Sequence, residues 1–132
     1  MDVSIIIVNW NTRQMLCDCL ASVYAKSCDE TFEVCVVDNA SSDGSAEMVE
    51  REFPQVLLIK NRRNVGFAAA NNQGIRQAAG RYVLLLNSDT LVHDGTITRS
   101  LDFADRHPDA AVVGCHVTSS DGSTQYTCYT FP

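Results

Sequence analysis

The sequence predicts an α/β fold, a doubly wound and mostly parallel sheet with helices on both faces. Three observations predict it. Short apolar runs are almost uninterrupted, as in strands buried on both faces. Between them, apolar residues return at helical spacing. Directly after the runs come polar, hydrogen-bonding residues, as expected at the carboxyl ends of strands in an open parallel sheet.

The apolar runs occupy residues 3–8, 34–37, 56–59, 82–86 and 110–113. Each is short and rich in β-branched or aliphatic residues, and each is expected to be a strand. After the first run, Leu16, Leu20, Val23 and Tyr24 fall at i, i+4, i+7 and i+8, one face of a helix. After the second, Ala46, Val49 and Phe53 repeat the spacing behind the cap candidates Ser42 and Asp43, and Pro54 ends the segment. After the third, Ala68, Asn72, Ile75 and Ala79 share a face, with Gly80 placed to terminate that helix. A fourth helix is expected through Ile97, Leu101 and Ala104, capped by Asp94 or Thr96 and closed by Pro108. Near the end, Asp121-Gly122 between threonine-rich segments is a hairpin signal.

At 132 residues the chain fits a single subdomain over 1–132, long enough to bury a core. No apolar run approaches the roughly 20 residues that span a bilayer, and the amino terminus lacks a basic n-region and a cleavage site. The chain is therefore expected in the cytoplasm, or peripherally at the inner face of the membrane. Its formal net charge of -6 argues against nucleic acid as a partner. A phosphorylated ligand remains compatible with that charge if a metal ion supplies local positive charge. The six cysteines form no CxxC pair and no metal-ligand spacing with histidine, so reduced, mostly buried thiols are expected. No GxGxxG or GxxxxGK[ST] stretch is present, which argues against a dinucleotide oxidoreductase and a P-loop nucleotidase.

Four strand ends then carry the chemistry. They are Asn9-Trp10-Asn11, Asp38-Asn39 with the following Ser41-Ser42-Asp43-Gly44, the stretch from Asn61 to Phe67, and Asn87-Ser88-Asp89. An acid directly behind a buried strand is poorly solvated unless it is paired or holds a cation. By position alone Asp89 reads first as the cap of a turn, with a metal ligand as the alternative. Asp38 could orient a base or ribose, and Asp43 is expected to serve the loop. Gly66 permits close backbone approach, and a helix starting near Phe67 would offer free N–H groups to an anion. Asn64 and Asn71 suit phosphate, ribose or metal-water contacts. Trp10 lies either beside a ligand or over the first helix. His93 is the one histidine near these ends, and no serine or cysteine nucleophile pairs with any histidine in a recognisable pattern.

Taken in order, these segments resemble the family-2 glycosyltransferases of the GT-A fold, in the branch similar to rhamnosyltransferases and other polysaccharide-assembling enzymes. The similarity rests on Val3 through Asn11, Val36 through Gly44, Asn64 through Ile75 and Leu85 through Thr90, which together reach nearly the whole chain. It implies an inverting transfer of a sugar from a nucleoside-diphosphate sugar to a saccharide or lipid-linked acceptor, with Mg2+ or Mn2+ as cofactor. It implies a donor site built from Val8, Asn9, Trp10, Asp38, Asn39, Asn64, Gly66, Phe67, Asn71, Asn87, Ser88 and Asp89, with Asp38 at the nucleobase. It also turns the reading of Asp89 from cap to metal ligand, in a DxD-like motif where Asn87 replaces the first acid. The family's general base lies in a motif further downstream, so the chain is expected to hold the donor without the base that starts transfer. The competing reading is a non-catalytic nucleotide or nucleotide-sugar binding module. A sheet cut short would also expose apolar surface and favour self-association.

Overall fold

The computed structural model describes residues 1–26 and 31–125. Among the described residues four strands and four helices alternate. They are β1 (Val3–Asn9), α1 (Arg13–Lys26), β2 (Phe32–Asp38), α2 (Ser45–Glu52), β3 (Leu57–Lys60), α3 (Phe67–Ile75), β4 (Tyr82–Asn87) and α4 (Thr96–Arg106). The strands form one sheet in the order β3-β2-β1-β4, and every pairing is parallel. The chain divides into two compact units, 1–98 and 99–132. Among the described residues no helix is long and apolar enough to cross a membrane.

Strand order explains which face each helix covers. Crossovers between parallel strands are right-handed. The chain steps from β1 to β2 to β3 in one direction, then jumps back past β1 to β4, so α3 must cross on the face opposite α1 and α2. Side chains agree with this. Tyr24 of α1 packs against Phe32 and Phe53, with ring centroids 5.4 and 6.1 Å away. On the other face Ala70 of α3 packs with Ile6, Cys35 and Val37. The doubly wound, parallel α/β architecture expected from the runs is therefore the one observed.

The core lies in the central strands. Ile5, Ile6, Ile7, Val34, Val36 and Val37 are buried, together with Leu16, Leu20 and Val23 of α1 and Met48 and Val49 of α2. α3 contacts the sheet through Ala70, Asn71 and Gly74, while Asn72, Ile75 and Ala79 of the expected face point to solvent. The small residues explain the inversion: a Cβ on Gly74 would stand 2.4 Å from Ile6 Cγ2, so this helix sits too close for large side chains.

Gly80 likewise differs from expectation. α3 ends at Ile75, closed by i→i−3 bonds from Gln77 N to Gly74 O (2.9 Å) and from Ala78 N to Ile75 O (3.1 Å). Gly80 instead lets the chain pass over β1, where a Cβ would meet Ser4 N at 2.5 Å. A polar clasp holds that crossing: Ser4 Oγ and Ala79 N both donate to Glu33 Oε1, and Gly80 N donates to Ser4 Oγ.

No strand forms at 110–113. Val112 is 89% exposed there, and no ladder partner pairs with the run among the described residues. An apolar run becomes a strand only when a neighbour takes its backbone N–H and C=O groups. The Asp121-Gly122 turn does form, with Gly122 at φ +82° and an antiparallel bridge from Thr118 to Thr124. Of the cysteines, Cys17, Cys19, Cys35 and Cys115 are free thiols; Cys19 and Cys35 are buried, Cys17 is half-buried and Cys115 is exposed. Cys28 and Cys128 lie outside the described residues.

Candidate functional site

In an open sheet the natural crevice lies where strand order reverses. Here that point falls between β1 and β4, and a cleft of about 290 Å³ opens at their carboxyl ends. Its walls are Val8, Trp10 and Thr12 from β1 and its loop, Asn39 behind β2, Asn64 and Phe67 at the start of α3, and Asn87, Ser88 and Asp89 at the tip of β4. The chain topology thus collects four loops that are up to eighty residues apart in sequence.

The loops behind β1, β2 and β3 are tied together by amides. Asn39 is buried; its Nδ2 donates to Asn64 Oδ1 at 2.8 Å, and its Oδ1 accepts from Val65 N at 3.0 Å and Asn61 Nδ2 at 3.2 Å. Asn64 Oδ1 also accepts from Gly66 N at 2.9 Å. Asp38 is only 4% exposed. Its Oδ1 accepts from Asn9 Nδ2 at 3.1 Å and its Oδ2 from Ser41 N at 3.0 Å. Ala40, at φ +67°, makes the reversal that brings Ser41 back to this carboxylate.

Asp43 works for the loops, as its turn-rich context predicts. Its carboxylate accepts from the first N–H of two helices, Arg13 of α1 at 2.9 Å and Ser45 of α2 at 3.1 Å. Burial pushes its carboxyl up, but the hydrogen bonds from Ser45 and Arg13 outweigh it and leave the pKa below the ordinary aspartate value.

Not every expected residue lines the cleft. Asn9 and Asp38 are buried and are not among the residues that line it. Asn71 faces the sheet and donates back to Phe67 O at 3.0 Å within its own helix. Gly66 precedes α3 at φ +86° and ψ 159°, a conformation reserved for glycine, and the space where a Cβ would stand is open. No side chain caps the α3 N-terminus, which leaves its first-turn N–H groups available. His93 is exposed and does not line the cleft. Thr12, which does, was not expected. The signal for it was present, since it lies in the same loop, three residues after Asn9.

The β4 tip is different in character. Asp89 is exposed, and its carboxylate has no hydrogen bond or ion pair among the described residues. Beneath the tip, Cys19 Sγ donates to Asn87 O at 3.6 Å. Burial, with the nearby Asp89 charge, pushes the Cys19 thiol up to about 12, so it stays neutral. Among the described residues no three acidic, histidine or cysteine side chains gather to form a self-sufficient metal site. One carboxylate beside two neutral oxygen-bearing residues suits a hard cation shared with a ligand's phosphates, because Mg2+ and Mn2+ commonly take one or two carboxylates and complete their shell with phosphate and water.

The family model described as Glycosyl transferase family 2 matches residues 4–131. The chain belongs to that family. It is 32% identical over 117 residues to an uncharacterized glycosyltransferase, YfnE, of Bacillus subtilis, covering 86% of this chain and 30% of the relative. Among solved structures it resembles S. aureus TarS 1–349 in complex with UDP, with a TM-score of 0.73, 28% identity, and coverage of 82% of this chain and 33% of that one. It also resembles the mannosyltransferase PcManGT from Pyrobaculum calidifontis in complex with GDP-Man and Mn2+, with a TM-score of 0.70, 27% identity, and coverage of 77% and 32%. The chain therefore spans about a third of the length of these similar proteins.

Proposed function

We propose that this chain binds a nucleoside-diphosphate sugar and supplies the donor-binding part of an inverting glycosyltransferase of hexosyl or rhamnosyl type. The observation that carries the reading is the switch-point cleft, where aromatic, amide and acidic side chains from four loops meet. Trp10 and Asn39 would take the nucleobase, with Asp38 serving the base end through the loop it holds. The open face of Gly66 and the uncapped N-terminus of α3 would receive the ribose and diphosphate, since helix N-termini favour anions. Asn64 and Phe67 would border that stretch, and Asn71 would hold the helix turn behind it.

Asp89 would hold Mg2+ or Mn2+ jointly with the diphosphate, with Asn87 and Ser88 as neutral neighbours. When bound, such an ion supplies positive charge against the negative charge that grows on the leaving diphosphate. The acceptor, a saccharide or lipid-linked hydroxyl, also needs a general base to take its proton. We place that base outside these residues, which makes donor binding rather than efficient transfer the activity of this segment by itself. Self-association belongs to the same proposal. Val83 and Leu85 leave apolar surface exposed on β4, and light scattering across a concentration series would detect dimers or larger species.

The test is calorimetric titration with UDP, GDP and dTDP, with and without MnCl2, on the chain and its Asp89→Ala variant. Binding of at least one nucleotide, strengthened by Mn2+ in the parent but not in the variant, is expected. No binding of any nucleotide would overturn the donor site, and an undiminished Mn2+ effect in Asp89→Ala would overturn the metal assignment alone.

A further inference from the structure

Thr12 occupies the residue before α1, and Leu16 N bonds to its carbonyl at 2.8 Å, the place where a threonine ordinarily turns its hydroxyl onto the helix N–H groups. Here the hydroxyl points elsewhere. Arg13 N, the first donor of the helix, goes to Asp43. The Thr12 Oγ1 lies 2.6 Å from Asn9 Oδ1 and 2.9 Å from Ser88 Oγ, so it spans the gap between the β1 and β4 loops.

Proton counting gives this bridge a direction. Asp38 bonds the Asn9 amide through a carboxylate oxygen, which only accepts, so the Asn9 NH2 must face Asp38 and its carbonyl must face Thr12. That carbonyl also only accepts, which commits the single Thr12 proton to Asn9. Ser88 must therefore be the donor in the Thr12–Ser88 contact. With its proton turned inward, the Ser88 oxygen meets the cleft with lone pairs only, beside the exposed carboxylate of Asp89. An oxygen so poised repels phosphate oxygens and suits a cation or its bound water.

We propose that Thr12 is a positioning residue that orients Ser88 as an acceptor and holds the β4 tip, so that Ser88 and Asp89 together favour a divalent cation at the diphosphate. This rests on the donor-binding reading above and deepens it by adding a neutral oxygen to the single acid. Asp38, Asn9, Thr12 and Ser88 then form one directed chain from a buried acid to the metal side of the cleft.

The test separates metal-linked from general effects. UDP and GDP are titrated with and without MnCl2 into the parent chain and into Thr12→Val, Thr12→Ser and Ser88→Ala, each checked for folding by thermal melting. Thr12→Val is expected to lose about tenfold of the Mn2+-dependent gain in affinity, the upper scale of one hydrogen bond, a larger loss than it causes without Mn2+. Thr12→Ser restores the gain. Ser88→Ala reproduces the loss, and Thr12→Val adds nothing on top of it, because both remove one shared element. Equal losses with and without Mn2+ would make Thr12 merely structural, and an unchanged gain in both Thr12→Val and Ser88→Ala would overturn the bridge. A parent chain that binds neither nucleotide would overturn the donor reading and the bridge with it. Should Thr12→Val fail to fold, Ser88→Ala decides by the same two criteria.

Discussion

The two sides of the cleft are built on different principles. On the β2 and β3 side, Asn39, Asn61 and Asn64 bond one another and the backbone, Asp38 accepts from Asn9 and Ser41 N, and Asp38 and Asn39 are buried. On the β4 side, Asp89 is exposed with no partner among the described residues, and its neighbour Ser88 is held by a single hydroxyl bridge. Buried amides must be satisfied internally, since each unpaired one is costly. They form a fixed shape before any ligand arrives. An exposed acid carries no such demand and leaves its oxygens for something that comes from outside. One side of the site is thus held in shape by folding contacts before a ligand arrives, while the other keeps its acid uncommitted.

That contrast sets the order of expected effects on stability. Asn39→Ala would strand Val65 N and take one bond each from Asn61 and Asn64, and is expected to cost about 3 kcal/mol in urea denaturation. A cost near zero would break the view of this side as structural. Gly66→Ala would force a side chain into a glycine-only conformation and should cost about 2 kcal/mol, with weakened nucleotide affinity as a second readout.

At the opposite end of the strands, Glu33 offers a pH-dependent comparison. Hydrogen bonds from Ser4 and from Ala79 N hold its pKa below the ordinary 4.5. Its contribution is therefore present above that value and is lost as pH falls through the lowered folded pKa. Stability measured across acid pH should fall less steeply in Glu33→Gln than in the parent. Identical slopes would show that the clasp does not depend on the charge. The smallest effect belongs to Asp89→Ala, expected to leave stability within about 0.5 kcal/mol while removing the Mn2+-dependent gain in nucleotide affinity. A large loss of stability there would erase the distinction between the two sides.

Much of this was legible in the residues themselves. β1, β2 and β4 follow directly from apolar runs too continuous to be surface helix, and the polar residues behind them mark the ends that converge. α3 shows where such reading fails. Its helical spacing is genuine, but the face with Ile75 is the exposed one, because contact with Ile6 and Val37 admits only Ala70 and Gly74. Periodicity finds large apolar residues, and it cannot find a face selected for smallness. The run at 110–113 fails for another reason, since strand formation depends on a partner that no local pattern contains.

By itself, then, the sequence determined the alternation of strands and helices, the family, and the four segments from which a donor site could be assembled. These are local or pattern-borne properties, set by hydrophobic spacing and by residue types with few alternative uses. Only the tertiary structure decided which residues lie on the cleft wall and which do not. Asn9 and Asp38 are buried rather than on the wall because parallel pairing of β1 with β2 puts them side by side, each bonded to the other. Thr12 rose into the wall because the jump from β3 to β4 brings Ser88 within 2.9 Å of it. Those placements follow from strand order, a long-range property that no single segment encodes.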